Sequence, residues 1–453
     1  MDAAHIASLV RDADVHRDVY TSQDVYALEQ RHLFSNAWIY VGHASQCPEP
    51  GDYVTTTIAG QPVLMVRGED GRVRVFHNRC PHKGTRLTAE TAGSTGRYFR
   101  CPYHAWTFRT DGALHSVPLA KGYEGTGFDE CGARRGLEPV GAWQEYREFV
   151  FARMNPHGDT FEEFFGEALS SIDNMVDRSP EGRLILEGSP LRYVHKCNWK
   201  MLVENQTDTC HPMVAHESSA GTAVSVWERE AARLKERGVD ARTPMAVEVY
   251  APFMAPYEFF ERMGMRVWPN GHGHTGVTTS IHADYSAVPG YLEAMEAAYG
   301  AERAQLILGT NRHNTVYFPN IMVKGPVQTL RVFRPEAADR TVVENWTFRL
   351  AGAPDMLFER TLMYNRLINA PTSIVGHDDL EMYERAQEGL ASNGYEWVNL
   401  QRLYEPGEAR DANSVDNGTT ERQMRNQMRA WRKYMLQSMD AVTEDAPALE
   451  AAE

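Results

Sequence analysis

The chain has 453 residues, more than one hydrophobic core usually serves, and its 42% apolar and 24% charged residues are those of an ordinary globular protein rather than a disordered or fibrous one. A net charge of −15 argues against nucleic acid, whose phosphates demand clustered cations, and favours a small molecule or another protein as partner. No apolar run approaches the roughly 20 residues of a membrane span, and charged residues interrupt the opening MDAAHIASLVRDADVHRD where an export signal needs an apolar stretch, so a cytoplasmic protein without membrane association is expected. In that compartment Cys47, Cys80, Cys101, Cys131, Cys197 and Cys210 are expected as thiols rather than a disulfide framework, which makes thiolate metal ligation the reading to test.

In chain order, a helix capped by Thr21 or Ser22 is predicted over about 21–35, within an N-terminal helical segment 1–37 that packs with the larger domain. From Trp38 the texture changes to short β-rich runs, PVLMVR, VRVFH, RYFR and EFVFARM, separated by the turn signals Glu69-Asp70-Gly71 and Thr110-Asp111-Gly112. This is an antiparallel β domain over 38–155, ended by Asn155-Pro156-His157-Gly158-Asp159. The remainder, 156–439, mixes longer helical patterns with strands such as TLRVFRP and TVVENWTFRL. Its last helix, about 419–439, carries Met424, Met428, Trp431, Met435 and Met439 on one stripe, read as core packing, with Arg422, Arg425, Arg429 and Arg432 largely elsewhere. The acid- and Ala-rich tail 440–453 is expected to be disordered.

Two segments of the β domain carry ligand chemistry. NRCPHKGTRL contributes Cys80 and His82, and CPYHAWTF contributes Cys101 and His104. Structural zinc sites more often pair cysteine with cysteine and histidine with histidine. A Rieske [2Fe–2S] cluster instead needs two thiolates on one iron and two imidazoles on the other, so two loops that each donate one of each can clamp it from both sides. Pro81, Pro102 and Gly84 suit tight ligand-bearing loops. These segments resemble the Rieske domain of the aromatic ring-hydroxylating oxygenases, whose loops read C-x-H-R-G-x-x-L and C-x-Y-H-G-W-x-F. Lys83 stands where that family has Arg, Ala105 where it has Gly, and the loops are about one residue further apart. No ligand is lost.

Further on, KCNWKMLVENQTDTCHPMVAHES holds Asp208, His211 and His216. Histidines five apart point about 140° from each other on an ideal helix, so Pro212 is expected to break the helix and hold His211 out of helical angles. Two histidines and one carboxylate form the face of a non-haem Fe(II) site that leaves the opposite face open. The segment Gly376-His377-Asp378-Asp379-Leu380-Glu381 resembles the family's late acidic motif and nominates Asp379, with Asp378 as the alternative. From spacing alone these acids could equally be helix-start residues complementing the dipole. Cys210, where relatives carry an aromatic residue, is read as small pocket lining.

The resemblance covers nearly the whole chain and implies an α+β fold: an antiparallel Rieske domain and a larger domain with a central antiparallel sheet flanked by helices. It implies one [2Fe–2S] cluster and one mononuclear Fe(II) per chain, O₂ as co-substrate, and a homotrimer, α₃ or α₃β₃ with a small beta subunit. In that trimer Asp208 links His211 to a neighbouring chain's cluster histidine, His104, as a carboxylate that orients both rings. Nothing here resembles a dinucleotide-binding turn, so electrons from NAD(P)H are expected through a separate reductase, with or without a ferredoxin. The outcome is cis-dihydroxylation or monohydroxylation of an aromatic substrate. The three-residue step from Asn205 to Asp208 resembles oxygenases of benzoate-, anthranilate- or salicylate-type acids. The alternatives are an oxidative demethylase, an electron carrier with a degenerate second domain, and a non-enzymatic zinc-stabilised binding protein.

Overall fold

The computed structural model describes residues 1–128, 135–277, 279, 288–408 and 415–444; Cys131 and the tail from 445 lie outside them. It forms two compact units, Leu28–Phe164 and a larger one made of Met1–Ala27 with Phe165–Glu453. Among the described residues no helix is long and apolar enough to cross a membrane.

The smaller unit is built from antiparallel strands. Asp52–Ile58, Gln61–Arg67 and Val73–His77 form a meander with Ala92–Ser94 on its edge, and Tyr98–Arg100, Thr107–Arg109 and Leu114–Ser116 form a second small sheet. Both sheets contribute to one core, in which Tyr53, Leu64, Val66, Phe99 and Phe108 pack with the two cysteines Cys80 and Cys101. The expected turn at Gly112 is required by shape: its φ is +89° and a Cβ there would stand 2.6 Å from the Phe76 ring. The unit runs past the expected boundary at 155. Trp38 donates to the Asp159 carbonyl and meets the Phe161 ring edge-on, so the chain after Asn155 still packs on the strand Ile39–His43 and its neighbours.

At the N-terminus Ser22 Oγ accepts from Val25 N, and the helix Gln23–Glu29 widens into a π turn, Gln30–Phe34. Earlier residues are not wholly helical. Asp14–His16 is a strand paired with Trp397–Asn399, which ties the N-terminus into the larger unit.

The larger unit centres on a nine-stranded antiparallel sheet whose middle is Arg340–Leu350, Thr329–Ala337, Ile321–Lys324 and Thr315–Tyr317. Helices Trp199–Asn205 and Ile374–Ala391 pack against strands of this sheet. The C-terminal helix runs from Arg422 to Glu444, so 440–444 are helical rather than part of a disordered tail. Met424, Met428, Trp431 and Met435 are buried, in line with the stripe. Arg422 and Arg425 are buried too, because carboxylates wait for them. Arg425 donates through Nε and Nη2 to the two Glu408 oxygens at 2.7 Å, and Arg422 pairs with Asp416 at 2.8 Å.

Candidate metal centres

In the smaller unit the two Cys/His loops close in the same way. Cys80 N donates to Thr85 O and Gly84 N to Cys80 O; Cys101 N donates to Trp106 O and Ala105 N to Cys101 O. Each loop places a left-handed residue four positions after its cysteine, Gly84 at φ +76° and Ala105 at φ +56°. Glycine adopts that conformation freely, whereas an L side chain pays about 1 kcal/mol for it. The alanine that departs from the family pattern is therefore in the same backbone conformation as its glycine counterpart, under strain.

The loops bring the four candidate ligands together. The cysteines share the core, and burial, with the neighbouring Cys101 thiol, pushes the Cys80 thiol up to about 11. The His82 and His104 rings lie 4.7 Å apart, and His82 stacks flat on Trp106 at 4.8 Å. Among the described residues, His104 Nδ1 is buried without a hydrogen-bond partner, as a nitrogen reserved for a metal would be. A single tetrahedral ion holds its ligand atoms within about 4 Å of one another. Among the described residues, the one group of three or more ligand atoms that converges within 4.8 Å is elsewhere, so these four residues suit a cluster of two metals better than one zinc.

That other group is His211, His216 and Asp379. His211 Nε2 and His216 Nε2 each lie 3.6 Å from Asp379 Oδ1, and the rings meet at 75°. The far side of each ring has its own carboxylate. Asp208 Oδ2 is 3.5 Å from His211 Nδ1, and Asp378 Oδ2 is 3.2 Å from His216 Nδ1 while accepting from the Ser219 hydroxyl. Burial opposes ionisation of Asp208, but the imidazole of His211 beside it and the Cys210 amide, which donates to Oδ1 at 2.8 Å, hold the pKa below the usual carboxylate value. Carboxylates behind metal-binding imidazoles fix ring orientation and strengthen them as ligands. Asn205 Nδ2 also stands 3.2 Å from His211 Nε2.

Two expectations about this segment change. His211 keeps helical angles, φ −71° and ψ −30°, because Pro212 falls at the first helical position, where its missing N–H and fixed φ are tolerated. The departure from ideal helix comes at His216, φ −98° and ψ 11°, and in the π turn Glu217–Gly221 that follows. Asp378 and Asp379 are not first-turn residues: Ser373 caps that helix by accepting from Gly376 N, and both acids lie in the second turn. Asp378 and Ser219 as supports of His216 were not foreseen, since no spacing rule joins them to it. Cys210 is half-buried, and its thiol reaches the Thr419 carbonyl at 3.8 Å.

Residues 37–126 match a Rieske [2Fe–2S] domain, and residues 184–437, more than half of the chain, match the ring hydroxylating alpha subunit (catalytic domain). The chain belongs to the ring-hydroxylating oxygenase alpha subunits. It is similar to toluate 1,2-dioxygenase subunit alpha of Pseudomonas putida, 30% identical over 379 residues that cover 83% of this chain and 79% of that one. Benzene 1,2-dioxygenase subunit alpha of Pseudomonas putida is also 30% identical, over 86% and 80% of the two chains. The fold is that of naphthalene 1,2-dioxygenase with indole bound, at a TM-score of 0.75, 22% identity and 98% coverage of each chain. This alpha subunit is therefore an oxidoreductase with a Rieske cluster and a mononuclear iron, which overturns the zinc-stabilised binding protein.

Proposed function

We propose that Cys80, His82, Cys101 and His104 hold the [2Fe–2S] cluster, that His211, His216 and Asp379 hold the iron, and that the alpha subunit dihydroxylates an aromatic carboxylate. The observation that carries it is the pair of imidazoles and one carboxylate converging within 4.8 Å, each imidazole backed by an aspartate. When bound, the cluster supplies an electron and the iron activates O₂ on a face that three protein ligands leave open. The protein's part is to hold that set rigid. Asp208 and Asp378 keep both Nε2 atoms turned toward Asp379, and the apolar ring of Phe253 packs edge-on against His216 at 5.3 Å. A cavity beside the histidines is lined by Gln206, Phe253, Met263, His313 and Asn314 among others.

Electrons are proposed to come from NAD(P)H through a separate reductase, with or without a ferredoxin, and the working unit to be a trimer, α₃ or α₃β₃. Asp208 then joins His211 to His104 of a neighbouring copy. In support, His104 is partly exposed, and Tyr103 beside it is 62% exposed. The acid substrate is supported by the three-residue step from Asn205 to Asp208 and by the toluate relative. Single turnover of chemically reduced protein with benzoate tests the reading without its reductase. The expected product is a cis-diol acid with both new oxygens from one ¹⁸O₂, formed with two electrons and two protons. Protein holding three irons and two sulfides per chain that yields no oxygenated product with any aromatic probe would overturn it.

A further inference from the structure

Strands Ile321–Lys324 and Thr329–Ala337 pair with Met322 opposite Arg331 and Lys324 opposite Thr329. Alternation puts these four side chains on one face, with Lys324 and Arg331 diagonal neighbours at about 7–8 Å. Arg331 donates to Gln206 Oε1 at 3.0 Å, to Asn345 Oδ1 at 2.8 Å and to Asn369 Oδ1. Lys324, 7% exposed, donates to the Tyr364 hydroxyl. Every one of these partners is neutral, and among the described residues neither cation has a carboxylate.

Three other cations of this unit meet carboxylates, whereas Arg312 donates to the Ser170 and Ser171 hydroxyls. Arg425 has Glu408, Arg422 has Asp416, and Arg334, on the opposite face of the same strand as Arg331, has Glu344 at 3.1 Å. Buried cations without a counter-charge are expensive, and such groups are normally paired. Burial, with the Arg331 charge nearby, accordingly pushes the Lys324 pKa well below its usual value.

The pair stands close to the iron ligands. Gln206 Nε2 is 3.4 Å from Asn205 Oδ1, and Asn205 in turn is 3.2 Å from His211 Nε2. On the other side, Tyr364 belongs to an apolar cluster with Ile368, Val375 and Phe253, the residue that packs on His216. A benzoate-like molecule has the matching form, one anionic end and one flat apolar end.

We propose that Lys324 and Arg331 form the subsite that takes the substrate carboxylate, the missing counter-charge being the substrate's own. The proposal rests on the aromatic-acid reading above and names the residues that enforce it.

The test uses full-length protein with cluster and iron, in the native form and as Lys324→Met, Arg331→Gln and the charge-keeping Arg331→Lys. Two readouts are taken: the benzoate-induced shift in Tm, and the selectivity between benzoate and toluene in single-turnover competition. Lys324→Met should melt higher than the native protein without ligand, lose most of the benzoate shift, and drop benzoate selectivity by at least ~30-fold, the factor for losing one partner of a buried charge pair. Arg331→Gln should lose selectivity similarly and Arg331→Lys should recover part of it. If Arg331→Gln fails to keep its metals, the nearly isosteric Lys324→Met decides alone. Native protein that takes benzoate while Lys324→Met keeps its Tm shift and selectivity would overturn the subsite and leave the aromatic-acid reading standing. Native protein that oxidises toluene and neither binds nor oxidises benzoate would sink both.

Discussion

The two metal centres are built on opposite plans. Each half of the first is one short loop, closed by its own backbone from Cys80 to Thr85 and from Cys101 to Trp106, so its proposed ligands are positioned by neighbours in sequence. The second, as proposed, takes His211 and His216 from one segment and Asp379 from a helix far along the chain, with Asp208 and Asp378 behind the two rings. A local site is carried by spacing and turn chemistry. A distributed site exists only once the sheet and its helices have packed, and it should fail more gradually as outer residues are removed.

The sharpest break is between the ligands themselves. Cys101→Ser should abolish the cluster and its red-brown colour, whereas His211→Ala should keep the colour and lose the mononuclear iron and all turnover; iron and sulfide analysis with reduced-state EPR separates the two. If His211→Ala still formed product, the assignment of the iron site would be wrong. One shell out, Asp378→Asn and Asp208→Asn should each cost ~10- to 100-fold in iron affinity or activity, the range typical of such supports. They should differ in kind. Asp378→Asn should loosen iron, while Asp208→Asn should retain most of it and slow cluster reoxidation by O₂ with substrate present. Normal reoxidation in Asp208→Asn would remove this aspartate from the path between centres.

A smaller effect concerns Glu204, one residue before Asn205. Burial pushes its carboxyl up to about 7, against a hydrogen bond from Tyr20 at 2.8 Å. The folded state therefore keeps a proton that the unfolded chain has lost between about pH 4.5 and 7, so stability falls as pH rises through that window. Glu204→Gln should flatten this part of the pH–stability profile, read from denaturant midpoints; an unchanged slope would show that another group carries it. The smallest effect belongs to the local site. Ala105→Gly should relieve the left-handed strain and raise stability by about 0.5–1 kcal/mol with the cluster spectrum intact. A loss of stability there would mean the alanine methyl makes compensating contacts.

The sequence alone determined the class of both centres. Cys80, His82, Cys101 and His104, the proposed cluster ligands, stand out in the sequence because their loops are contiguous and the proline and glycine that bend them are written beside them. The strands of the smaller unit were legible for the same local reason, by alternation and turn residues. Tertiary structure decided the rest. Asp379 turns to the histidines and Asp378 stands behind one of them because a helix starting at Ile374, capped by Ser373, presents the two side chains at different angles. The break near the histidines moved from Pro212 to His216, since a proline is harmless where a helix begins. The buried state of Arg422 and Arg425 depends on the chain before the helix folding back to bring Asp416 and Glu408 against them. Lys324 and Arg331, by contrast, carry nothing in their spacing that marks them out. The packed sheet gives Arg334 its glutamate and surrounds this pair with amides and a tyrosine hydroxyl, the arrangement from which the carboxylate subsite is proposed.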